Sequence, residues 1–203
     1  MANLIIDIGN TALKAAWADG MTLGKTFRYQ GERMLDFILS LTAKEKPEIL
    51  ILSSVRNFSS QALNILEKEC DRLVVADESL VSSYGLPHWL TPDRVASIIA
   101  SRYLFKNRPC TIFDFGTVLT VDFLDAQGNF SGGNISLGCR TRFKALNRYS
   151  RSLPLLGAPD EISEVGTDIA SAVSSGVISG LLSEIEGYMS KYPENITVFT
   201  GGD

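Results

Sequence analysis

The first thirty residues alternate between apolar runs and short polar breaks, a pattern typical of antiparallel strands. Residues 5–17 read IIDIGNTALKAAW, so an apolar run reaches Asp7, turns through Gly9 and Asn10, and leaves along a second run. A Gly-Asn turn between two such runs predicts a β-hairpin. Residues 23–29 predict a third strand after it.

The pattern then changes to helices that alternate with single strands. Apolar residues at helical spacing predict a helix over residues 32–42, and the run ILIL at 49–52 predicts a parallel strand buried on both faces. The serine pair at 59–60 predicts the start of a second helix, and residues 73–75 predict a short strand. The predicted order for the first half of the chain is therefore β-β-β-α-β-α-β.

A second hairpin of the same kind begins about half a chain length further on. Residues 113–123 read FDFGTVLTVDF, in which an apolar strand again runs into Asp-x-Gly before a second apolar strand leaves. Two copies at this spacing indicate a duplicated fold rather than a solenoid of short repeats. Strands are predicted at 111–113, 120–124 and 130–134, and helices at 140–149 and 169–189. The second helix carries an apolar stripe of residues at helical spacing, namely Val173, Val177, Leu181, Ile185 and Tyr188. The basic residues of the first of these helices, Arg140, Arg142, Lys144 and Arg148, are interpreted as a solvated face.

The first hairpin carries residue types that can hold a phosphate group. Gly9 lets the backbone approach an oxyanion, Thr11 and the turn amides can donate hydrogen bonds, and Lys14 supplies a positive charge. Asp7 can hold a hydrated Mg²⁺. An ordinary N-terminal hairpin is the alternative, because the motif is short and Gly-Asn turns are common.

Together, the two turns resemble the paired phosphate motifs of the actin, hexokinase and Hsp70 ATPase superfamily. The resemblance implies an α/β protein with a duplicated actin-like ATPase (ribonuclease H-like) fold, in which two lobes surround a nucleotide cleft and grip ATP. We place the lobes at residues 1–107 and 108–203. Because this fold normally continues beyond a turn like Gly201-Gly202, we expect either a truncated second lobe or a short family member.

Composition narrows the class of protein further. The chain has 203 residues, a formal net charge of −4 and no long run of one charge sign, which argues against a general nucleic-acid binder. It has no signal-peptide pattern and no apolar run long enough to cross a membrane, so we expect a cytoplasmic location without membrane association. The three cysteines show no Cys-x-x-Cys spacing, and no zinc site is implied.

The segment 84–96, YGLPHWLTPDRVA, supports two interpretations. Taken alone, Thr91 and Pro92 predict a helix start, where Asp93 favours the helix dipole and Arg94 is a solvated charge. Between two phosphate turns, however, the segment resembles the Tyr…Gly-x-Asp-Arg motif of the type III pantothenate kinases. Further stretches resemble motifs of the same family, in the same order along the chain: 132–138, 145–154, 166–176 and 200–203.

This resemblance implies roles for the matching residues around the acceptor substrate. Asp93 would be the general base, accepting the proton of the pantothenate hydroxyl as its oxygen attacks the γ-phosphoryl group. Arg94 would bind the pantothenate carboxylate through its planar fork. Tyr84, Thr91 and Pro92 would line the same pocket.

The resemblance also implies a nucleotide and cation site. Asp7 would hold Mg²⁺, and Asp114 would lie near a monovalent cation, K⁺ or NH₄⁺. The family forms homodimers, in which Thr167 would contact pantothenate across the interface. The residues expected at the ATP phosphates are Gly9, Asn10, Thr11 and Lys14 in the first lobe and Gly116 and Thr117 in the second, with Gly201 and Gly202 on the adenosine side.

Three departures from the family pattern keep alternatives open. Thr91 replaces a glycine that passes close to substrate, Leu137 replaces a proline, and Gly166-Thr167 lacks the preceding asparagine. The alternatives are a related small-molecule kinase, such as a sugar or acetate kinase, and a non-catalytic nucleotide-binding regulatory protein of the same fold.

Overall fold

Strand β1 (Asn3–Ile8) lies at the centre of a five-stranded mixed sheet in the computed structural model, which describes residues 2–9 and 11–202. The strands of this sheet are ordered β3-β2-β1-β4-β5. β1 pairs antiparallel with β2 and parallel with β4. The other strands are β2 (Leu13–Asp19), β3 (Thr22–Tyr29), β4 (Ile49–Ser54) and β5 (Arg72–Val75).

Four helices accompany this sheet in the chain. They are α1 (Met34–Thr42), α2 (Ser60–Lys68), α3 (Glu78–Ser83) and α4 (Pro92–Leu104). Ser59 caps α2, because its side chain accepts a hydrogen bond from the amide of Ala62. Leu4, Ile6 and Ile8 of β1 share one buried cluster with Ile38 of α1 and Leu66 of α2.

Strand β4 departs from its predicted burial. Leu50 and Leu52 are buried in this cluster, but Ile49 and Ile51 are only half-buried. The continuous apolar run therefore hides an alternation between a core face and a partly open face. The open face is the one on which Asp7 of β1 and Ser53 of β4 lie as register partners.

The second sheet repeats the plan of the first. Its four strands are ordered β8-β7-β6-β9, with β6 antiparallel to β7 and parallel to β9. Thus β6, β7, β8 and β9 correspond to β1, β2, β3 and β4, and the predicted duplication is confirmed. These strands are β6 (Cys110–Phe115), β7 (Val118–Leu124), β8 (Phe130–Leu137) and β9 (Ile196–Gly201).

Two helices of the second half pack with this sheet. They are α5 (Cys139–Tyr149) and α6 (Ile169–Lys191). The predicted apolar stripe of α6 is confirmed, since Leu181 packs with Phe113 and Val121 of the sheet while Val173 packs with Phe143 of α5.

Two elements have no counterpart in the sequence prediction. One is α3, a six-residue helix whose start is fixed by Asp77, which accepts a hydrogen bond from the Leu80 amide at 2.9 Å. The other is β9, a β-branched and aromatic run that pairs with β6 along its whole length. The sequence signal for α3 was its acidic N-cap residue, Asp77, and the signal for β9 was its β-branched residues.

The chain divides into two compact units, the first ending at Ala96 and the second beginning at Ser97. The division falls within α4, whereas our lobe boundary at residues 107 and 108 lies between α4 and β6. That lobe assignment stays a prediction. Across residues 2–9 and 11–202, no helix combines the length and apolarity needed to cross a bilayer.

The cluster around β1 should dominate the stability of the first unit. We expect Leu50→Ala to lower the free energy of unfolding by about 2–5 kcal/mol, because Leu50 is 0% exposed and the truncation leaves a cavity. Leu23→Ala is the matched control: Leu23 is 63% exposed on β3, and the change should be within about 0.5 kcal/mol of neutral. Urea unfolding measures both, and equal effects would contradict this assignment of the core.

Candidate active site

The first turn lies between β1 and β2, and backbone hydrogen bonds hold it. The Gly9 amide donates to the carbonyl of Ala12 at 3.1 Å, and the Val55 amide donates to the carbonyl of Ile8 at 3.0 Å. Thr11 and Lys14 are exposed beside the turn. Asn10, which we expect at the phosphates, lies outside the described residues. A side chain at Gly9 would meet protein atoms only at ordinary contact distance, so the space it leaves is open.

Asp7 stands at the end of β1, on the face opposite the buried cluster. Lys14 is its register partner on β2, and the Ser53 hydroxyl donates to its carboxylate at 3.3 Å. Burial raises the pKa of Asp7, the positive charge of Lys14 and the Ser53 hydrogen bond lower it, and the negative charge of Asp93 raises it further; the net pKa is raised. The charge of Asp93 is the smallest of these influences, and it comes from a residue of the same unit that is far from Asp7 in sequence.

Asp93 lies on the first turn of α4. Pro92 opens the helix, and the Thr91 carbonyl accepts the first helical hydrogen bond from the Val95 amide at 3.0 Å. Asp93 is exposed, and one of its carboxylate oxygens accepts the amide of Arg94 at 2.9 Å. An exposed carboxylate on a fixed helical turn is accessible to a substrate hydroxyl.

Arg94 is not the solvated charge that the helix pattern alone predicts. It is 2% exposed, and its guanidinium lies over the ring of Trp89, 4.9 Å from the centroid. A buried guanidinium is stable only where protein groups replace the water around its charge. The position of Arg94 is therefore set by packing and not by solvation. Our sequence reasoning gave Trp89 no role, and an aromatic residue five positions before an arginine is a weak signal.

Tyr84 lies at the end of α3, in the same unit as Asp93. Its amide donates to the carbonyls of Leu80 and Val81, and its side chain is 45% exposed. Gly85 follows with a φ of 65°, a conformation that glycine adopts without strain. The Tyr-Gly pair thus forms the end of the helix, with the tyrosine ring partly exposed at the surface.

The second turn lies between β6 and β7. The Gly116 amide donates to the Val118 carbonyl at 3.1 Å, and Thr117 is exposed. The Gly201-Gly202 turn lies against it, because Gly202 donates to the carbonyl of Phe115 at 2.8 Å. Gly201 has a φ of 108°, and a side chain there would overlap the backbone of Phe115. The structure therefore brings all four predicted glycine-turn residues of this unit to one end of β6.

Asp114 lies near that end of β6, half-buried, with Thr120 and Thr200 as register partners on the two neighbouring strands. Directly opposed residues project from the same face of a sheet. Among the described residues, the Thr120 hydroxyl oxygen is the one buried side-chain polar atom without a hydrogen-bond partner. A carboxylate beside an unsatisfied hydroxyl fits a small cation with oxygen ligands.

Thr167 occupies a different part of the second unit. It lies on the loop before α6, where its amide donates to the Ser171 hydroxyl at 3.1 Å. Gly166 precedes it, and a side chain there would overlap the backbone of Ala172. The loop is thus packed closely onto the first turn of α6.

Mg²⁺ fits the chemistry of the first unit. In residues 2–9 and 11–202, no cluster of three or more His, Cys, Asp or Glu side chains could hold a metal ion by itself. Mg²⁺ bound with a nucleotide needs only one or two carboxylates, since phosphates and water supply the other ligands. Burial is the largest cause of the raised pKa of Asp7, and a bound cation would favour the ionised form of this carboxylate.

Duplicated sheets with a glycine turn after each first strand define the actin-like ATPase class. A protein from Campylobacter jejuni described as a putative Baf family transcriptional activator is similar in structure, with a TM-score of 0.65 and 22% identity over 98% of this chain and 83% of that one. A putative N-acetylmannosamine kinase from Listeria monocytogenes has a TM-score of 0.55 and 16% identity, over 100% of this chain and 84% of that one. These structures support the fold alone.

The family is shown by sequence. The profile of the type III pantothenate kinase family matches residues 3–191, and the chain belongs to this family. A type III pantothenate kinase of Phocaeicola vulgatus is 35% identical, over 99% of this chain and 86% of the relative. One of Flavobacterium johnsoniae is 31% identical, over 98% of this chain and 85% of the relative.

The raised pKa of Asp7 leads to a stability prediction. The pKa of Asp7 is higher in the folded than in the unfolded state, so the protonated carboxyl favours the folded state. The free energy of unfolding therefore falls as pH rises through the folded-state pKa and Asp7 becomes charged. We expect Asp7→Asn to raise the melting temperature at pH 7–8 without nucleotide, and the gain to shrink toward pH 4.

A matched control separates this effect from general loss of negative charge. Asp19→Asn removes an exposed carboxylate from β2 in the same sheet and should show no such pH-dependent gain. If Asp7→Asn instead lowers the melting temperature at pH 8, the attraction of the Asp7 carboxylate to the charge of Lys14 outweighs the cost of its burial.

Proposed function

We propose that this protein transfers the γ-phosphoryl group of ATP to pantothenate, the first step of coenzyme A biosynthesis. The observation that carries the proposal is the match of residues 3–191 to the type III pantothenate kinase family, with Asp7 and Asp93 in one compact unit. A phosphate-side carboxylate and a general base must lie close together if the attacking hydroxyl and the transferred phosphoryl group are to meet between them.

Asp93 is the general base in this proposal. The pantothenate hydroxyl oxygen forms a bond to the γ-phosphorus, the bond between this phosphorus and the bridging oxygen breaks, and ADP leaves. The hydroxyl proton passes to the Asp93 carboxylate. The hydrogen bond from the Arg94 amide orients that carboxylate on the first turn of α4.

Arg94 and the residues around it form the acceptor pocket in this proposal. A guanidinium can hold the pantothenate carboxylate with two parallel hydrogen bonds, and the Trp89 ring beneath it fixes the plane of the fork. Tyr84, Thr91 and Pro92 line the same pocket. The exposed ring of Tyr84 and the exposed side chain of Thr91 leave both available for contact.

The nucleotide-binding residues of this proposal lie in glycine turns, and each unit carries one such turn after its first strand. Lys14 and Thr11 are exposed beside the first turn, as phosphate contacts must be. The joining of the Gly116 turn to the Gly201-Gly202 turn supports a continuous surface from phosphate to adenosine. The residues assigned to ATP are Gly9, Asn10, Thr11, Lys14, Gly116, Thr117, Gly201 and Gly202.

Two cations and a second protomer complete the proposal. Mg²⁺, held by Asp7 together with the phosphates, would neutralise charge on the transferred group. A monovalent cation, K⁺ or NH₄⁺, lies at Asp114, supported by the unsatisfied hydroxyl of Thr120. The protein is a homodimer in which Thr167 contacts pantothenate of the partner, and the exposed apolar residues Val165 and Ile169 beside it support an interface there.

Replacement of the proposed base tests the reaction. We expect Asp93→Asn to lower kcat by about 10²- to 10⁴-fold while ATP still binds, because the variant keeps the shape of the side chain but cannot accept the proton. Pantothenate-dependent ADP release in the presence of Mg²⁺ and K⁺ measures turnover. Asp36→Asn, an exposed change on α1, is the control and should leave kcat unchanged.

Three outcomes of this assay contradict the proposal. Full activity of Asp93→Asn would exclude that residue as the base. Turnover with a sugar or acetate but not with pantothenate would indicate a related small-molecule kinase. Binding of ATP and pantothenate to the unmodified chain without turnover would indicate a nucleotide-binding regulatory protein.

Arg94 offers a separate test of the acceptor pocket. We expect Arg94→Lys to raise the KM for pantothenate by about tenfold, because the ammonium keeps the charge but loses one of two hydrogen bonds to the carboxylate. The KM for ATP should not change. Because Arg94 is buried, melting curves must accompany the kinetics; a lower melting temperature with an unchanged KM for pantothenate would make this residue structural.

A further inference from the structure

We infer that Thr141, on the first turn of α5, is a positioning residue that holds the Gly116-Thr117 turn in its phosphate-binding form. The inference rests on the nucleotide-binding role proposed for that turn. It concerns the hydroxyl group of Thr141 and its contact with the backbone of the turn. Nothing in the motif pattern of the sequence marks this residue.

The carbonyl oxygen of Thr117 accepts two hydrogen bonds from the junction between β8 and α5. The Gly138 amide donates to it at 3.2 Å, and the Thr141 hydroxyl donates at 2.6 Å. The Thr141 contact is the shorter of the two and comes from a side chain fixed on a helix. The Thr117 carbonyl is therefore held from outside its own hairpin.

The orientation of this carbonyl matters because of its charge. A peptide unit is planar, so a rotation that turned the Thr117 oxygen toward a bound phosphate would also move the amide attached to it. The oxygen carries partial negative charge and would repel phosphate, whereas backbone amides attract it. Two donors on the Thr117 oxygen favour the orientation in which the turn presents amides and a hydroxyl instead.

Close packing makes the junction a rigid support. A side chain at Gly138 would overlap the Gly116 carbonyl oxygen, so the β8–α5 junction lies directly against the turn. Thr141 is three residues further along α5, where the helix fixes the direction of its side chain. A displacement of α5 would therefore be transmitted to the turn.

Arg142 anchors the junction on its other side. Its guanidinium donates to the Leu137 carbonyl at 2.8 Å and to the Ser136 hydroxyl at 3.3 Å, and it forms an ion pair with Glu184 of α6. The expectation of a solvated basic face is thus wrong for Arg142. Side chains with 20% and 24% exposure lose part of the solvent screening that weakens surface pairs, so the pair ties α5 to α6.

The experiment compares Thr141→Val, which keeps the branched shape, with Thr141→Ser, which keeps the hydroxyl. We expect Thr141→Val to weaken Mg·ADP binding about tenfold by calorimetry and to raise the KM for ATP by a similar factor, since one hydrogen bond to the carbonyl is lost. Thr141→Ser should remain within about twofold of the unmodified chain. The KM for pantothenate should not change in either variant.

Thr26→Val is the matched control, because it makes the same change at an exposed position on β3 of the other unit. Equal Mg·ADP affinity of Thr141→Val and the unmodified chain would overturn the inference. Equal weakening by valine and serine would also overturn it, since the hydroxyl would then not be responsible. A tenfold loss that serine rescues supports it.

The design separates this inference from the proposed reaction. If the unmodified chain binds Mg·ADP but does not phosphorylate pantothenate, the proposed function fails, and the valine and serine variants still decide the role of Thr141. If the unmodified chain binds no nucleotide, both fail.

Discussion

The register of β1 sets the core and the site of the first unit at once. Side chains alternate along a strand, so the register that buries Leu4, Ile6 and Ile8 against α1 and α2 also places Asp7 on the opposite face. A slip of one residue would move the carboxylate into the apolar cluster and expose the isoleucines. Burial of the apolar residues of β1 thus fixes the position of Asp7. Partial burial of its carboxylate raises the pKa of Asp7.

The duplication extends to the hydrogen bonds that hold the two turns. In each unit, the amide just after the neighbouring parallel strand donates to the carbonyl of the last residue before the glycine: Val55 to Ile8 at 3.0 Å, and Gly202 to Phe115 at 2.8 Å. The turns therefore close onto equivalent strands. They differ in support, because the Thr117 carbonyl receives further donors from the β8–α5 junction.

Local patterns predicted most of the fold because they act over a few residues. The two hairpins, the helix start at Pro92 and the apolar stripe of α6 follow from spacing, turn residues and capping. Burial of Arg94 and the ion pair of Arg142 with Glu184 could not be predicted from local patterns. Both depend on tertiary packing, which the spacing of residues along one sequence does not show. The roles of Asp7 and Asp93 in one reaction were implied only by the family resemblance, because nothing in the local pattern links two residues so far apart in sequence.

Thr91, which stands where the family pattern has glycine, affects the proposed acceptor pocket more than the fold. Thr91 precedes α4, and what starts the helix is its carbonyl, which accepts the Val95 amide at 3.0 Å. Threonine and glycine are similar as residues at a helix start, so replacing one by the other changes the stability of α4 little. The Thr91 side chain is exposed, so it adds volume at the surface, two residues before Asp93, and not in the core. In the proposed acceptor pocket, the threonine side chain therefore limits the space through which a substrate reaches Asp93. The helix that carries this carboxylate keeps its geometry.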